Sequence, residues 1–278
     1  MSLFIASLNS GSNGNCYYIG NGREAVLIDA GLSCRETEKR MKRLELSMQQ
    51  VKALFISHEH ADHIRGVEVI ARKYQLPVYI TAATLRSSGL KIAAGQALGF
   101  KAFAPVRIGG LSVTAFPKLH DAADPHSFIV EGNGTRIGVF TDIGAACANV
   151  TRYFKHCHAA FLEANYDEEM LETGRYPHYL KRRIRSDHGH LSNDQALELF
   201  TKHRPQAMSH VLLSHLSRDN NSPQLVQELF QKQAGSTHVC VASRYEESAV
   251  YCIAPGALPD RGSAKPAASE AAQLSLFQ

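Results

Sequence analysis

His58, His60, Asp62 and His63 crowd into one stretch, His58-Glu59-His60-Ala61-Asp62-His63. Two positions apart in an extended segment, His58 and His60 project to the same side. Asp62 and His63 follow where the chain turns into a helix, so they can face a second ion. A loop of this kind supplies ligands to two metal ions at once. Two ions need more donors than one loop holds. Three candidates lie downstream, each where an apolar run stops: His120 in Pro117-Lys118-Leu119-His120-Asp121, Asp142 in Phe140-Thr141-Asp142-Ile143-Gly144, and His215 in Leu212-Leu213-Ser214-His215-Leu216-Ser217. Asp121 and His126 lie close enough to His120 to compete for its role. Taken singly, a histidine at a strand end is more often structural or exposed; read jointly with the first loop, it becomes a ligand candidate. Donors of His and Asp type suit Zn²⁺, Mn²⁺ or Fe without choosing among them. Two cations sharing a water lower its pKa towards neutrality and neutralise charge on the atom under attack. That chemistry hydrolyses phosphodiesters, thioesters, lactones and β-lactams alike.

Such a site needs strands that stop at a common edge. The apolar run Ala53-Leu54-Phe55-Ile56-Ser57 predicts a strand leading into the histidine loop. Further strands are predicted over 1–8, 16–20, 25–28, 78–80, 159–163, 209–214, 238–242 and 249–254, with a hairpin-like pair over 107–116. Asn133-Gly134 between Phe128–Glu131 and Arg136–Thr141 is a hairpin signal. Helical spacing covers 34–48, 64–74, 166–171, 192–202 and 222–233. Strands alternating with helices in two similar halves suit two packed sheets with helices outside, an α/β architecture.

The pattern of the first loop resembles the H-x-H-x-D-H signature of the metallo-β-lactamase superfamily. The resemblance implies a four-layer αββα sandwich with a metal centre at one edge, between the sheets. Carried over, His58, His60 and His120 hold one metal, Asp62, His63 and His215 the other, and Asp142 bridges them. Asp29 then stands as a strand-end carboxylate supporting a ligand histidine. A closer match follows from Ser10-Gly11-Ser12-x-Gly14-Asn15, Ser57-His58-Glu59-His60, Glu163-x-Asn165, Gly189-His190-Leu191-Ser192-Asn193 and His215-Leu216-Ser217-x-x-Asn220-Asn221. Together they resemble the YycJ/WalJ family over roughly residues 1–255. That resemblance implies bacterial cytoplasmic metallohydrolases linked to DNA processing, with 5′-to-3′ exonuclease activity. Too few residues separate Asp142 from His215 for the β-CASP insertion of RNase J-type enzymes, so substrate grip must come from the chain's own loops. Ser10, Asn13, Asn15, Asn165, Ser192 and Asn193, in or beside these motifs, are candidate substrate contacts. Ser192 also reads as the cap of the following helix.

Other features lean towards phosphodiesters. The segment Arg175-Tyr176-Pro177-His178-Tyr179-Leu180-Lys181-Arg182-Arg183-Ile184-Arg185 is basic with interleaved tyrosines. Arg182 and Arg183 can meet phosphates and the tyrosines can stack on bases; a solvated helical face is the alternative. His190 or His188 can protonate a departing alkoxide. The net charge of +4 permits a nucleic-acid partner without demanding one.

The chain of 278 residues, 44% hydrophobic, can build a substantial core. No stretch approaches the ~18–20 apolar residues of a spanning helix. The N-terminus reads as a first strand and not a signal peptide. The six cysteines show no close pairing, which favours reduced thiols and a cytoplasmic location. Residues 1–255 are read as the catalytic domain. Residues 256–272, rich in Ala, Pro, Ser and Gly, read as a flexible linker. Gln273-Leu274-Ser275-Leu276-Phe277 resembles the bacterial sliding-clamp-binding pentapeptide, with Gln273 as a polar anchor and Leu274, Leu276 and Phe277 as apolar ones. The leading expectation is a DNA exonuclease recruited by the β sliding clamp in replication-linked or mismatch repair. A small-molecule thioesterase or lactonase of the same fold is the alternative, and a clamp- or DNA-binding module with a degenerate centre is a third.

Overall fold

A computed structural model describes residues 2–256. The clamp-like tail and, apart from Gly256, the linker lie outside the described residues. The strands of the first half are β1 (Leu3–Asn9), β2 (Cys16–Gly20), β3 (Ala25–Ile28), β4 (Val51–Phe55), β5 (Val78–Tyr79) and β6 (Ala97–Leu98). Its helices are α1 (Cys34–Arg43), α2 (Ala61–Ile64), α3 (Val67–Tyr74) and α4 (Ala82–Ser88). The second half contributes β7 (Pro105–Ile108), β8 (Leu111–Pro117), β9 (His126–Gly132), β10 (Thr135–Phe140), β11 (Ala159–Glu163), β12 (His210–Ser214) and β13 (His238–Val241). With them come α5 (Ala148–Phe154), α6 (Glu168–Thr173), α7 (His178–Ile184), α8 (Asn193–His203) and α9 (Pro223–Gln231). A last strand, β14 (Tyr251–Ile253), returns to pair with β1.

Two seven-stranded sheets result, ordered β14-β1-β2-β3-β4-β5-β6 and β13-β12-β11-β10-β9-β8-β7. Central strands β2, β3, β11 and β12 are buried at every position, as sheets covered on both sides require. In β3, Val26 and Ile28 enter the core between the sheets, while Ala25 and Leu27 face the layer that holds Met41 of α1 and Val67 and Ile70 of α3. In β11, Ala159 and Phe161 point inward, while Ala160 and Leu162 meet Phe200 of α8 and Phe230 of α9. The order of layers is therefore helix, sheet, sheet, helix, the sandwich that the motif resemblance implies. Asn133 and Gly134 both take positive φ (53° and 76°), which joins β9 to β10 by the tight turn that their types favour.

Some boundaries differ from the sequence reading. The helix expected over 34–48 stops at Arg43, because Glu45 turns left-handed (φ 57°) and the Leu46 amide bonds back to the Met41 carbonyl. The helix expected over 64–74 is two pieces: the Gly66 amide bonds to Ala30 and α3 starts afresh after it. Short α4, α5 and β6 carry periodicity too brief to be read from sequence. Among the described residues no helix is long and apolar enough to cross a membrane.

Parallel pairing aligns the carboxyl ends of β3, β4 and β5 in one sheet and of β10, β11 and β12 in the other. Asp29, the histidine loop, Asp142, Glu163 and His215 lie at or just beyond these ends, while His120 follows β8 and Ser10 to Asn15 follow β1.

Candidate metal centre

Three residues leave their strands in the left-handed region: Asp29 after β3 (φ 60°), Asp142 after β10 (φ 54°) and His215 after β12 (φ 56°). Non-glycine residues pay for that conformation, and such strain gathers at functional sites. The opening loop is fastened to the same place. The Asn15 amide donates to the Asp62 carbonyl (2.7 Å) and the Ala30 amide to the His63 carbonyl (2.8 Å). Gly31 lets these backbones meet: a Cβ there would lie 1.7 Å from the Asp62 oxygen.

The side chains converge in two groups. His58, His60 and His120 form one, with His60 Nδ1 3.0 Å from His58 Nε2 and 3.4 Å from His120 Nε2. Asp62, His63 and His215 form the other, with Asp62 Oδ2 3.4 Å from His63 Nε2 and 3.5 Å from His215 Nε2. Asp142 stands between: Oδ2 is 3.2 Å from His63 Nε2 and Oδ1 is 3.8 Å from His120 Nε2. His126 stays apart, bonded to the Asp124 carbonyl and packed on Phe100.

Four of the five candidate ligand imidazoles, those of His58, His63, His120 and His215, are oriented from behind. His63 Nδ1 donates to Asp29 (2.7 Å), and Asp29 also accepts the Ser57 amide and hydroxyl. His58 Nδ1 meets Ser57 Oγ (2.9 Å), and His120 Nδ1 donates to the Gly189 carbonyl (3.0 Å). Glu163, fully buried at the end of β11, accepts from His190 Nδ1 (2.8 Å) and His215 Nδ1 (3.1 Å). Glu163 was visible in the sequence motif, yet its supporting role was missed. The signal was available: it too is a lone charge closing an apolar strand.

Protonation follows these surroundings. Burial, with the nearby charges of His63 and Lys118, depresses the His58 pKa. Burial likewise brings His120 down to about 3. For His215, burial pulls the same way, but Asp142, Asp62 and Glu163 outweigh it and lift the imidazole to about 10. Burial would raise Glu163, but His190 and His215 hold its carboxyl down at about 2.

The donor set fits divalent cations. Asp142 Oδ2 and His215 Nε2 are buried and make no hydrogen bond, although each has other ligand-type atoms around it. Buried polar atoms without partners are costly, and a coordinated cation satisfies both. Carboxylate-backed imidazoles are the usual support of such ligands.

The other candidates divide. Asn165 lines the cavity beside His190, and its Nδ2 donates to the His215 carbonyl (2.7 Å). Asn13 is exposed and binds the Arg244 carbonyl, and it is not among the residues lining the cavity. His188 is exposed, whereas His190 faces the cavity. Arg183 lines that cavity and pairs with Asp121 (2.5 Å); Arg182 is exposed and is not among the lining residues. Four further candidates are hydrogen-bonded within the protein. Ser10 Oγ accepts the His215 amide, and Asn15 Nδ2 donates to Asp62 Oδ2 (3.0 Å). Ser192 caps α8 in a capping box with Gln195, and Asn193 pairs its amide with Asn221 in the interior. Of these internal partners, sequence reading anticipated the helix cap of Ser192 and not the others.

Residues 24–216 match the family model described as a beta-lactamase superfamily domain, and the chain belongs to that superfamily. The chain is 37% identical over 228 residues to exodeoxyribonuclease YycJ of Bacillus anthracis, covering 81% of this chain and 86% of the relative. Exodeoxyribonuclease WalJ of Streptococcus pneumoniae is 31% identical over 223 residues, covering 78% of this chain and 83% of the relative. Within the superfamily the chain is thus a member of the YycJ/WalJ family, as its motifs suggested. The metallo-β-lactamase fold protein YhfI of Bacillus subtilis superposes with a TM-score of 0.71 over 91% of this chain and all of that one, at 13% identity. That last likeness concerns the fold alone.

Proposed function

We propose that the protein is a two-metal DNA exonuclease that shortens strands from 5′ to 3′. The observation that carries this reading is the juxtaposition of the two ligand groups, with Asp142 between them, and His190, which is held by Glu163 at the mouth of a cavity. The names of the YycJ and WalJ relatives support deoxyribonucleic acid as substrate. His58, His60 and His120 would hold one ion and Asp62, His63 and His215 the other, with Asp142 shared. Zn²⁺, Mn²⁺ and Fe all suit these donors. Bound there, the ions supply a water acidic enough to attack near neutral pH and positive charge against the phosphoryl oxygens.

The chain's own groups complete the step. Water adds its oxygen to phosphorus and yields a proton to Asp62. The P–O3′ bond breaks, and the departing 3′ oxygen takes its proton from His190 Nε2, the nitrogen left over once Nδ1 is bonded to Glu163. The products are a nucleoside 5′-monophosphate and a strand with a new 5′-phosphate. The tail, Gln273–Phe277, is proposed to dock on the β sliding clamp and keep the enzyme at replicating or mismatch-containing DNA.

End-labelled duplex DNA bearing a 5′-phosphate, intact or nicked, tests the reading with Mn²⁺ and with Zn²⁺. Stepwise release of mononucleotides by the intact protein is expected, and loss of that release in Asp142→Ala. Absence of cleavage alongside rapid thioester or lactone hydrolysis would overturn it. Deletion of residues 273–278 should abolish clamp binding and spare cleavage of short oligonucleotides; unchanged clamp affinity would refute the tail's role.

A further inference from the structure

A cavity of about 210 Å³ opens beside the metal centre, with His190 and His215 in its lining. Its other wall belongs to the segment around α7: Tyr176, Leu180 and Ile184 line it. These three pack with buried Tyr166 and Leu171 into a small core of their own, so the wall is built and not a loose loop. The Tyr176 hydroxyl donates to Asp219 (3.1 Å), which fixes the ring where it borders the cavity. On the far side of the rim, Arg183 of α7 pairs with Asp121 (2.5 Å) and ties the wall to the loop after β8.

We propose that this cavity is a subsite for the single terminal nucleoside of the strand, with its base stacked on Tyr176. The proposal rests on the phosphodiesterase reading above. The small size of the cavity suits one base with its sugar. Chemistry sets the contact: an aromatic face accepts any base, so the subsite reads the presence of a base and not its identity. Position sets the consequence. His190 gives its proton to the leaving oxygen, so the nucleoside beside His190 is the one that departs.

The chain contains no tryptophan, so Tyr176→Trp creates a unique fluorophore that keeps the stacking face. In the full-length protein, deoxynucleoside 5′-monophosphates of all four bases should quench it saturably. Deoxyribose 5-phosphate, which lacks a base, should not. Equal quenching by the baseless sugar phosphate, or none by any nucleotide, overturns the proposal. In parallel, Tyr176→Ala should raise the KM for single-stranded oligonucleotides by roughly 10-fold. Tyr176→Phe, which keeps the ring and loses the Asp219 contact, should restore it. A Phe variant as impaired as the Ala variant assigns Tyr176 a purely structural part and refutes stacking. The two readings fail separately. If intact protein leaves DNA uncut, the nuclease assignment falls while the fluorescence titration still decides the subsite. If it cuts DNA and Tyr176→Ala does so with unchanged KM, only the subsite falls.

Discussion

The two sheets have equal strand numbers but bring chemistry to their shared edge in opposite ways. The first concentrates His58, His60, Asp62 and His63 in the loop after β4 and steadies them with Ser57 of the same loop and Asp29 and Asn15 from neighbouring strand ends. The second scatters His120, Asp142, Glu163, His190 and His215 over the ends of several strands and the turn before α8. A concentrated set owes its geometry to short hydrogen bonds within one loop cluster. A scattered set owes it to strand register, and a single buried carboxylate, Glu163, aligns imidazoles from two separate segments. Damage to the first half should therefore weaken the hold on metal. Damage to the second should reach metal, proton donor and substrate cavity together.

Asp142→Ala tests the point where the halves meet and should have the largest effect. Its carboxylate lies within 3.2 Å of His63 from the first half and 3.3 Å of His215 from the second. DNA hydrolysis should fall by more than the roughly 10–100-fold that loss of a supporting partner costs. Metal analysis of the purified variant should find fewer than two ions per chain. Two ions with near-normal turnover would show that the carboxylate is not shared.

Glu163→Gln comes next, with Asp29→Asn as its counterpart in the first half. Both remove a buried carboxylate behind a histidine, and both should weaken metal binding by roughly 10–100-fold. They should part when metal is added in excess. Asp29 supports only His63 and the Ser57 turn, so excess metal should return Asp29→Asn to near-normal kcat. Glu163 also holds His190, so Glu163→Gln should stay impaired in kcat at saturating metal. Equal recovery of both would erase the distinction between the halves. Circular dichroism melts should accompany both, since each charge is buried.

The same contrast explains how far the sequence could be read. The histidine loop is legible because its residues are adjacent and their spacing carries the geometry. Asp142 and His215 are legible because each interrupts an apolar strand. Glu163 obeys that rule, yet the apparent ligand set was complete without it, so its support of two histidines passed unseen. The basic segment showed charge and tyrosines but not their faces: Tyr176 borders the cavity, while Tyr179 is 71% exposed. Ser10, Asn15 and Asn193 read as substrate contacts because motif membership does not say where a polar group finds its partner. Only the folded backbone settles that. The cap formed by Ser192, by contrast, was legible from its place before a helical run.

Ser192→Ala sharpens this last distinction and should have the smallest effect. Ser192 precedes α8, two positions after His190, in a motif that invites a substrate role. Its hydroxyl instead accepts the Gln195 amide, and the Gln195 side chain accepts the Ser192 amide in return. Removing the hydroxyl costs about 1 kcal/mol, the usual loss for a cap. For a domain of this size that is a fall of roughly 2 °C in Tm. KM for DNA and the rate at saturating substrate should both hold, because α8 packs through Leu199 and Phe200 into the outer core and its displacement is resisted there. A KM increase with unchanged Tm would return Ser192 to the substrate. It would also place the turn before α8, and not only the proposed wall around α7, in contact with substrate.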